Sequence, residues 1–338
     1  MATRALSKFQ YGKEVISTHG TPVVATKILA GAQIKSVAPD RTPAFIPDAL
    51  GVKARSTRAE IYELLAADTL TLPAAYFQAL PMLFSCGLKG GVTATETTPA
   101  QSDYAWDFTP SLTASNTPDS ITLEMGDDVQ AFEVEFVMFR RLKISGQLAQ
   151  DGGESPVSIE AEYFGRQVTP TTFTGALSLP TMTTMNAKLS RLYKDATWAG
   201  KGTTELTDVL RAFEFELITG MHPKFMGSAA KTFNTFGEGF IDAMLTLTLE
   251  GSSVADTIFD EFQAGTAKAY SLKINGPTIG TGVAHKLQLD IWGRPEMVEP
   301  LSEESEGNNL HQVLIHGEYD TTGAAIVDVD VITNSNTI

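Results

Sequence analysis

The sequence is short of the residues that would cross-link the chain or anchor it in a membrane. Among 338 residues there is one cysteine, Cys86, so an internal disulfide and a thiolate metal cluster are excluded. Free cysteine is among the most buried residue types, and Cys86 is therefore interpreted as a small apolar core residue. No run of about 18 apolar residues occurs, so no transmembrane helix is expected. Residues 1–20 lack the apolar stretch of a secretory signal, which predicts synthesis in the cytoplasm.

Basic side chains are also in deficit. The chain has 25 lysines and arginines against 40 aspartates and glutamates, and its formal net charge is −15. Both halves of the chain are acidic. Tight nucleic-acid binding needs a basic surface that neutralises phosphates, so this function is not expected.

Motifs for catalysis and ligand binding are missing as well. The sequence has no nucleophile elbow, zinc motif, Walker sequence or dinucleotide fingerprint, and the glycine-rich stretch at residues 87–91 is interpreted as a turn. His311 and His316 flank one predicted strand five residues apart, so they face opposite sides and cannot share a metal. The acidic segment 296–307 lacks EF-hand spacing and is interpreted as a solvated, mobile insertion. We expect no enzymatic activity, no cofactor and no metal.

The sequence does contain one strand pattern that is repeated four times. Apolar and acidic residues alternate in it, and because successive strand residues point to opposite faces, each strand has an apolar face and a face of carboxylates. Two carboxylates on one strand face lie about 7 Å apart, a spacing that would suit a glycosidase. Repetition without distinct environments for an acid and a nucleophile favours a charged surface instead. The four segments are residues 132–136, 159–163, 213–217 and 327–331.

The order of predicted elements is the same in the two halves. Each has a strand, a long loop, a second strand, a short helix and then several strands. This order predicts an internal duplication of an α+β, mostly β unit built on antiparallel sheet. The predicted divisions are an N-terminal arm at 1–20, a first repeat at 21–170, a linker at 171–184 and a second repeat at 185–338.

Each repeat contains one predicted helix. The first covers residues 74–87, where Gly87 would end it in a left-handed conformation and Pro81 would either kink it or move its start to a later residue. The second covers residues 252–265, with a serine as N-cap and Gly265 as terminator.

Short motifs in both halves resemble those of one known protein family. The longest is a strand followed by Leu-Lys-Ile-Ser-Gly at residues 142–146, a turn with glycines, and a second strand that begins with Val-Ser at 157–158 and ends with Gly-Arg at 165–166. This passage resembles the tail tube proteins of bacteriophages with long, non-contractile tails. Further matching segments are residues 11–14, 20–23, 80–83, 87–93 and 210–225.

The resemblance implies two tandem antiparallel tube folds, each a β-sandwich that contributes to a barrel and carries a flanking short helix. It also implies that the chain assembles with itself: three duplicated chains would form a ring with pseudo-sixfold symmetry, and stacked rings would form a tail tube. The protein would then be part of the virion, made in the host cytoplasm, with no membrane contact. Its other partners would be the tape-measure protein, the tail-end proteins and double-stranded DNA that passes without tight binding.

The carboxylates of the repeated strands are the candidates for the channel lining of such a tube. A basic lining would grip the phosphates of the passing genome, whereas an acidic lining keeps it sliding. The candidates are Glu133, Glu135, Glu160, Glu162, Glu214, Glu216, Asp328 and Asp330.

The predicted arm and the long loop at residues 38–58 are the candidates for contacts between subunits. Loops of about 20 residues are uncommon in compact domains and are usually functional or mobile. We expect contacts between rings, because stacking favours elements that become ordered on contact. The candidate residues are Tyr11, Lys13, Pro39, Arg41, Pro43, Phe45, Arg55 and Arg58.

A receptor-binding or glycan-binding β-sandwich on a virion or cell surface is the competing hypothesis, and a hydrolase is a third. A glycan site is expected to present clustered aromatic side chains over a concave surface. Trp106, Trp198 and Trp292 are spread along the chain, which favours the tube hypothesis.

Overall fold

The fold is that of a computed structural model of the chain. At positions 39 and 40 it describes the backbone alone. Neither of the two α-helices in the described chain has the length and apolar character needed to cross a bilayer. The described residues are 6–34, 39–40, 43–48, 51–53, 56–61, 64–149, 153–227, 229, 231–305 and 307–338.

The first half consists of antiparallel strands and one buried helix. Its elements are β1 (Lys8–Lys13), β2 (Lys27–Ile28), β3 (Gln33–Ile34), β4 (Pro39–Asp40), β5 (Ala44–Ile46), β6 (Arg58–Glu60), β7 (Leu65–Leu72), α1 (Leu80–Gly87), β8 (Thr95–Glu96), β9 (Tyr104–Asp107), β10 (Ile121–Gly126), β11 (Ala131–Gln147), β12 (Ser158–Gly165) and β13 (Val168–Thr171).

The second half has longer strands and a longer helix. Its elements are β14 (Ser190–Asp195), β15 (Glu205–Leu206), β16 (Leu210–Ile218), β17 (Met221–Lys224), β18 (Thr235–Glu238), β19 (Asp242–Glu250), α2 (Ser253–Ala264), β20 (Lys268–Thr278), β21 (Ala284–Ser305), β22 (Asn308–Gly317) and β23 (Val327–Thr333).

The two halves pair their strands by the same antiparallel scheme. In the first half β1 pairs with β2 and β10, β10 with β11, β11 with β12 and β13, β12 with β7, and β7 with β3. In the second half β14 pairs with β15 and β20, β20 with β21, β21 with β22 and β23, β22 with β19, and β19 with β16. The hairpins β5–β6 and β17–β18 occupy the same place in this scheme. The helices also correspond, since α1 packs on β11 and α2 on β21.

One long strand in each half bends and takes part in two sheets. β11 pairs with β10 and β13 up to Val137 and with β12 from Met138 onward. At this bend Phe136 has a φ of 56°, which is rare for a residue other than glycine and accompanies a β-bulge. β21 changes partners around Gly293, with β20 and β23 before it and β22 after it. In each half the bent strand therefore connects two open sheets, and the core lies between them.

Strands β11 and β16 join the halves into one antiparallel sheet, called the joined sheet below. Their register runs from Arg141 opposite Ile218 to Gln147 opposite Ala212. The order of the joined sheet is β3 with β4, β7, β12, β11, β16, β19, β22 and β21. One of its faces is apolar and buried, and each fully buried aliphatic side chain stabilises the fold by about 1.5–3 kcal/mol. This face includes Leu70, Leu72, Leu142, Ile144, Ile159, Ala161, Phe213, Phe215, Leu217, Leu245, Leu247, Val313 and Ile315.

Residues 1–20 do not form a separate arm in the part of the chain that the structure describes. β1 lies between β2 and β10, and its Phe9 and Tyr11 belong to the core. Glu14, which follows β1, is buried and accepts a hydrogen bond from the backbone N–H of Phe136. The expectation was wrong because both faces of β1 are buried, so the strand lacks the alternation of apolar and polar residues that would reveal it.

The predicted helices are confirmed in position and corrected in detail. Pro81 falls in the first turn of α1, where its missing N–H has no helical partner to lose, so it marks a later start. Gly87 is the last helical residue, and Leu88 after it has a φ of −113°, so the left-handed ending predicted for α1 was wrong. In α2 the N-cap is Ser252 and the terminator is Gly265 in the left-handed conformation, with a φ of 62°.

The acidic segment 296–307 was wrongly expected to be a mobile insertion. As far as Ser305 it belongs to β21, which pairs with β22 again from Glu303 after an irregular stretch. Its acidic side chains and Pro300 are typical of a sheet edge, and they interrupt the alternation of apolar and polar residues that would have predicted a strand. The expected linker at 171–184 also packs on the first half, since its Thr174 donates hydrogen bonds to Glu124.

Candidate assembly surface

The second face of the joined sheet, called the polar face below, extends over both halves of the chain. Residues in direct register form rows of charged side chains across it. In one row Lys143 lies between Glu160 on β12 and Glu216 on β16. Glu162 and Glu214 lie on the same face in the neighbouring rows. The alternation in the sequence therefore predicted the surface position of these four glutamates correctly.

Two ion pairs of the polar face connect β11 with β16. The guanidinium of Arg141 donates two hydrogen bonds to the Glu216 carboxylate, with nitrogen–oxygen distances of 2.7 and 2.8 Å. The Nζ of Lys143 lies 2.8 Å from a carboxylate oxygen of Glu214. Exposed pairs of this kind contribute about 0.2–1 kcal/mol each, so their main effect is to specify the register of the two strands.

Other basic side chains of the polar face are also neutralised. Arg140 forms an ion pair with Glu162, and Arg294 binds the Glu318 carboxylate at 2.7 and 2.9 Å. Glu160 is exposed. The sequence predicted a face of carboxylates, whereas the structure has carboxylates alternating with paired cations, so the excess of negative charge is smaller than the pattern suggested.

Glu133 and Glu135 lie away from the polar face, on the part of β11 before the bend. Glu133 is in register with Glu124 on β10. Burial raises the pKa of the Glu133 carboxyl, and the Glu124 carboxylate raises it further. Burial also raises the pKa of Glu135, although Arg166 at 3.7 Å acts in the opposite direction.

Asp328 and Asp330 occupy a third place, a cluster of carboxylates on β23 and its neighbours. Carboxylate oxygens of Asp107, Asp328 and Asp330 all lie within 4.8 Å of one another. Lys201 forms ion pairs with Asp328 and with the fully buried Asp290, the latter at 3.1 Å. Burial and the Asp328 carboxylate raise the pKa of Asp330 to about 6. These carboxylates are close enough to share a cation, and the Lys201 ammonium already supplies positive charge there.

The polar face also carries a histidine that lies between two carboxylates. The sequence did not predict that these three residues come together. His316 Nε2 lies 3.0 Å from Asp242 Oδ1, and its Nδ1 lies 3.0 Å from Glu296 Oε2. Burial lowers the pKa of His316, but the two carboxylates outweigh burial and the pKa is raised. The three residues come from β22, β19 and β21, so no spacing in the sequence could have linked them. His311 is buried on the opposite face, as its spacing from His316 predicted.

Tyr11 and Lys13, two of the predicted subunit contacts, lie on β1. Tyr11 is 3 % exposed and belongs to the core. Lys13 forms an ion pair with Asp119 of its own chain at 2.7 Å. Tyr11 packs inside the first half, so its assignment as a surface contact was wrong. Lys13 is partly exposed, and its assignment stays a prediction.

The hairpin β5–β6 does present some of the predicted contact residues. Pro43 is exposed, Phe45 is 63 % exposed, and Arg58 forms an exposed ion pair with Asp48. The corresponding hairpin in the second half, β17–β18, is followed by Phe240, which is 97 % exposed. Single exposed apolar side chains are common on protein surfaces, so the contact role of these residues stays a prediction. Two candidates lie outside the described residues and a third is described in its backbone alone: Arg41, Arg55 and Pro39.

The joined sheet has an open edge at each end. At one end the part of β21 after Gly293 pairs with β22, and the other side of this part has no partner strand among the described residues. At the other end β3 and β4 pair with β7 alone within the described chain. An edge strand presents unpaired N–H and C=O groups, which are a template for pairing with another chain.

Searches against models of known protein families and against curated proteins found no match to this chain. Its function is therefore inferred from the strand pairing, the surfaces and the short motifs.

Proposed function

We propose that this protein is a structural subunit that assembles with itself into stacked rings and forms the tail tube of a bacteriophage. The observation that carries the proposal is the joined sheet. It joins two units of the same pairing scheme side by side through β11 and β16, and the counterparts of these two strands, β21 and β3 with β4, are the open edges at its ends. A chain built in this way extends its own sheet when a further copy is added.

The shared pairing scheme supports a tandem duplication of one tube fold. Strand pairing, the place of each hairpin and the strand on which each helix packs agree between the halves. Agreement at this level, with little identity in sequence, is expected when a fold is retained while its surface residues diverge. The units cover approximately residues 8–171 and 190–333, and each carries one helix.

The polar face supports a role as a channel wall. Buried apolar side chains hold one face of the sheet against the core, so the opposite face is free to turn to a solvent-filled channel. Its basic side chains Arg140, Arg141, Lys143 and Arg294 are each held by a carboxylate of the same chain. Paired cations release few counterions from DNA and add little affinity. In this proposal Glu160, Glu162, Glu214 and Glu216 line the channel, and the other four candidates do not.

The alternative, a receptor-binding or glycan-binding module, has less support. Trp106 is 3 % exposed, and Trp198 packs under the Lys201 ammonium, with 4.6 Å between Nζ and the ring centroid. The three tryptophans therefore do not form an aromatic platform for a sugar ring.

Negative-stain electron microscopy of the purified, concentrated protein tests the proposal. Rings with a central hole, alone or stacked into tubes, are the expected result. A protein that stays monomeric at all concentrations and binds an immobilised glycan array would contradict the proposal and support the alternative.

A further inference from the structure

The junction between β11 and β16 provides a template for a contact between chains. In the pairing scheme β21 corresponds to β11, and the edge formed by β3 and β4 corresponds to β16. β11 and β16 are bonded to each other inside the chain. Their counterparts β21 and β3 with β4 are the two open edges of the same sheet.

We propose that β21 of one chain pairs antiparallel with β4 and β3 of a second copy, in the way that β11 pairs with β16 within the chain. This inference rests on the proposed function, whose partner surface it specifies. The two edges differ from each other, so the contact is heterologous: each copy uses one edge for each neighbour. Such contacts form a closed ring when the rotation per copy closes, and closure leaves no open edge in the sheet.

The bulges of the two long strands fix the register on one side of the contact. In the pairing of β11 with β12, Arg140 has no opposite residue, because a bulge lies between Phe139 and Arg141. In the pairing of β21 with β22, Glu296 likewise has no opposite residue, because a bulge lies between Pro295 and Met297. Met297 is therefore the counterpart of Arg141.

The ends of the edge strands fix the register on the other side. β16 ends at Ile218, opposite the first residue of β19, Asp242. β4 ends at Asp40, opposite the first residue of β7, Leu65. Asp40 is therefore the counterpart of Ile218. Because Arg141 lies opposite Ile218 within the chain, Met297 is expected opposite Asp40 of the second copy.

Engineered cysteines at these two positions test the contact. Directly opposite residues in antiparallel strands have Cβ atoms about 4.5–5.5 Å apart, close to the reach of a disulfide. Within one chain the two positions lie at opposite ends of the joined sheet, more than about 30 Å apart at the usual strand spacing. The variant with both Met297→Cys and Asp40→Cys is therefore expected to form disulfides between chains only. The native Cys86 is fully buried and stays outside the reaction.

The expected product distinguishes a heterologous ring from other contacts. Mild oxidation of the double variant should convert most of the protein into covalent dimers and closed trimers on a non-reducing gel. Either single variant should stay monomeric, and a mixture of the two single variants should stop at the dimer. In the matched control, Met244→Cys replaces Met297→Cys in the double variant. Met244 lies on the same polar face but on the interior strand β19, and this control should give no ladder.

The outcomes separate this inference from the proposed function. Rings without covalent trimers from the double variant would overturn the edge pairing and leave the ring assembly in place. If the Met297 and Asp40 variants fail to fold, Val298→Cys with Pro39→Cys occupies the next opposite pair and gives the same test. Wild-type protein that forms no rings, together with no cross-linking, would overturn both.

Discussion

The two halves of the chain share a pairing scheme but differ in how they are enclosed. In the first half all eight residues of α1 are buried, whereas in α2 only Ala255 and Ile258 are. In the second half β16 has strand partners on both sides, β11 and β19, whereas its counterparts β3 and β4 pair with β7 alone within the described chain. The same pairing scheme therefore occurs once with this strand inside the sheet and once with it at an open edge. The junction between β11 and β16 is formed within one chain, and we propose that a second copy supplies the missing neighbour at each outer edge.

The largest expected difference between the halves is in the cost of truncating a helix residue. Phe84 in α1 is 1 % exposed and Phe262 in α2 is 37 % exposed. Phe84→Ala should lower the free energy of unfolding by about 3–5 kcal/mol, because it removes a buried ring and leaves a cavity. Phe262→Ala should cost less than about 1 kcal/mol. Urea denaturation measures both, and equal losses would refute the contrast between the helices.

A smaller difference is expected between the internal junction and the open edge. A Cβ added at Gly146 in β11 would lie 2.6 Å from a ring carbon of Phe213 on β16 and 2.9 Å from the Ala187 side chain. Gly146→Ala should therefore destabilise the protein by about 1–3 kcal/mol through overpacking.

The control for this variant lies at the corresponding part of β21. Ser302 is partly exposed at the open edge, where its hydroxyl donates a hydrogen bond to the Leu310 carbonyl. Ser302→Ala should cost about 1 kcal/mol or less. A larger loss at Ser302 than at Gly146 would contradict the view that the packed junction lies between β11 and β16.

The smallest effect is the pH dependence of stability that Asp330, in the second half, contributes. The pKa of Asp330 is raised to about 6, so the folded state favours its protonated form. Protonated Asp330 therefore favours the folded state at low pH, and this stabilisation is lost as the pH rises through about 6. Asp330→Asn should raise the free energy of unfolding by about 1 kcal/mol at pH 8, after allowance for solvent screening, and should change nothing at pH 4.

Thermal unfolding at the two pH values checks this prediction. The corresponding strand in the first half, β13, has no ionisable side chain, so no parallel effect is expected there. Equal stabilisation at both pH values would mean that packing, and not charge, explains the result.

The strands with alternating residues could be predicted from the sequence, and so could the ends of α2. Ser252 and Gly265 act locally, through a cap and a left-handed terminator, so neighbouring residues suffice to identify them. The face occupied by Glu160 and Glu214 was predictable for the same reason. The sheet to which Glu133 belongs was not, because the bend at Phe136 moves β11 from one sheet to another. Pairing partners such as β11 and β16 depend on contacts between distant segments, which no local pattern encodes.

The most direct test of the account is a cryo-electron microscopy map of the assembled wild-type protein at a resolution that separates strands. We expect rings of three chains in which one sheet runs continuously around the channel, with β21 of each chain beside β4 of the next. We also expect Glu160 and Glu214 to face the channel. Rings in which these edges lie apart, or in which the polar face turns outward, would contradict it.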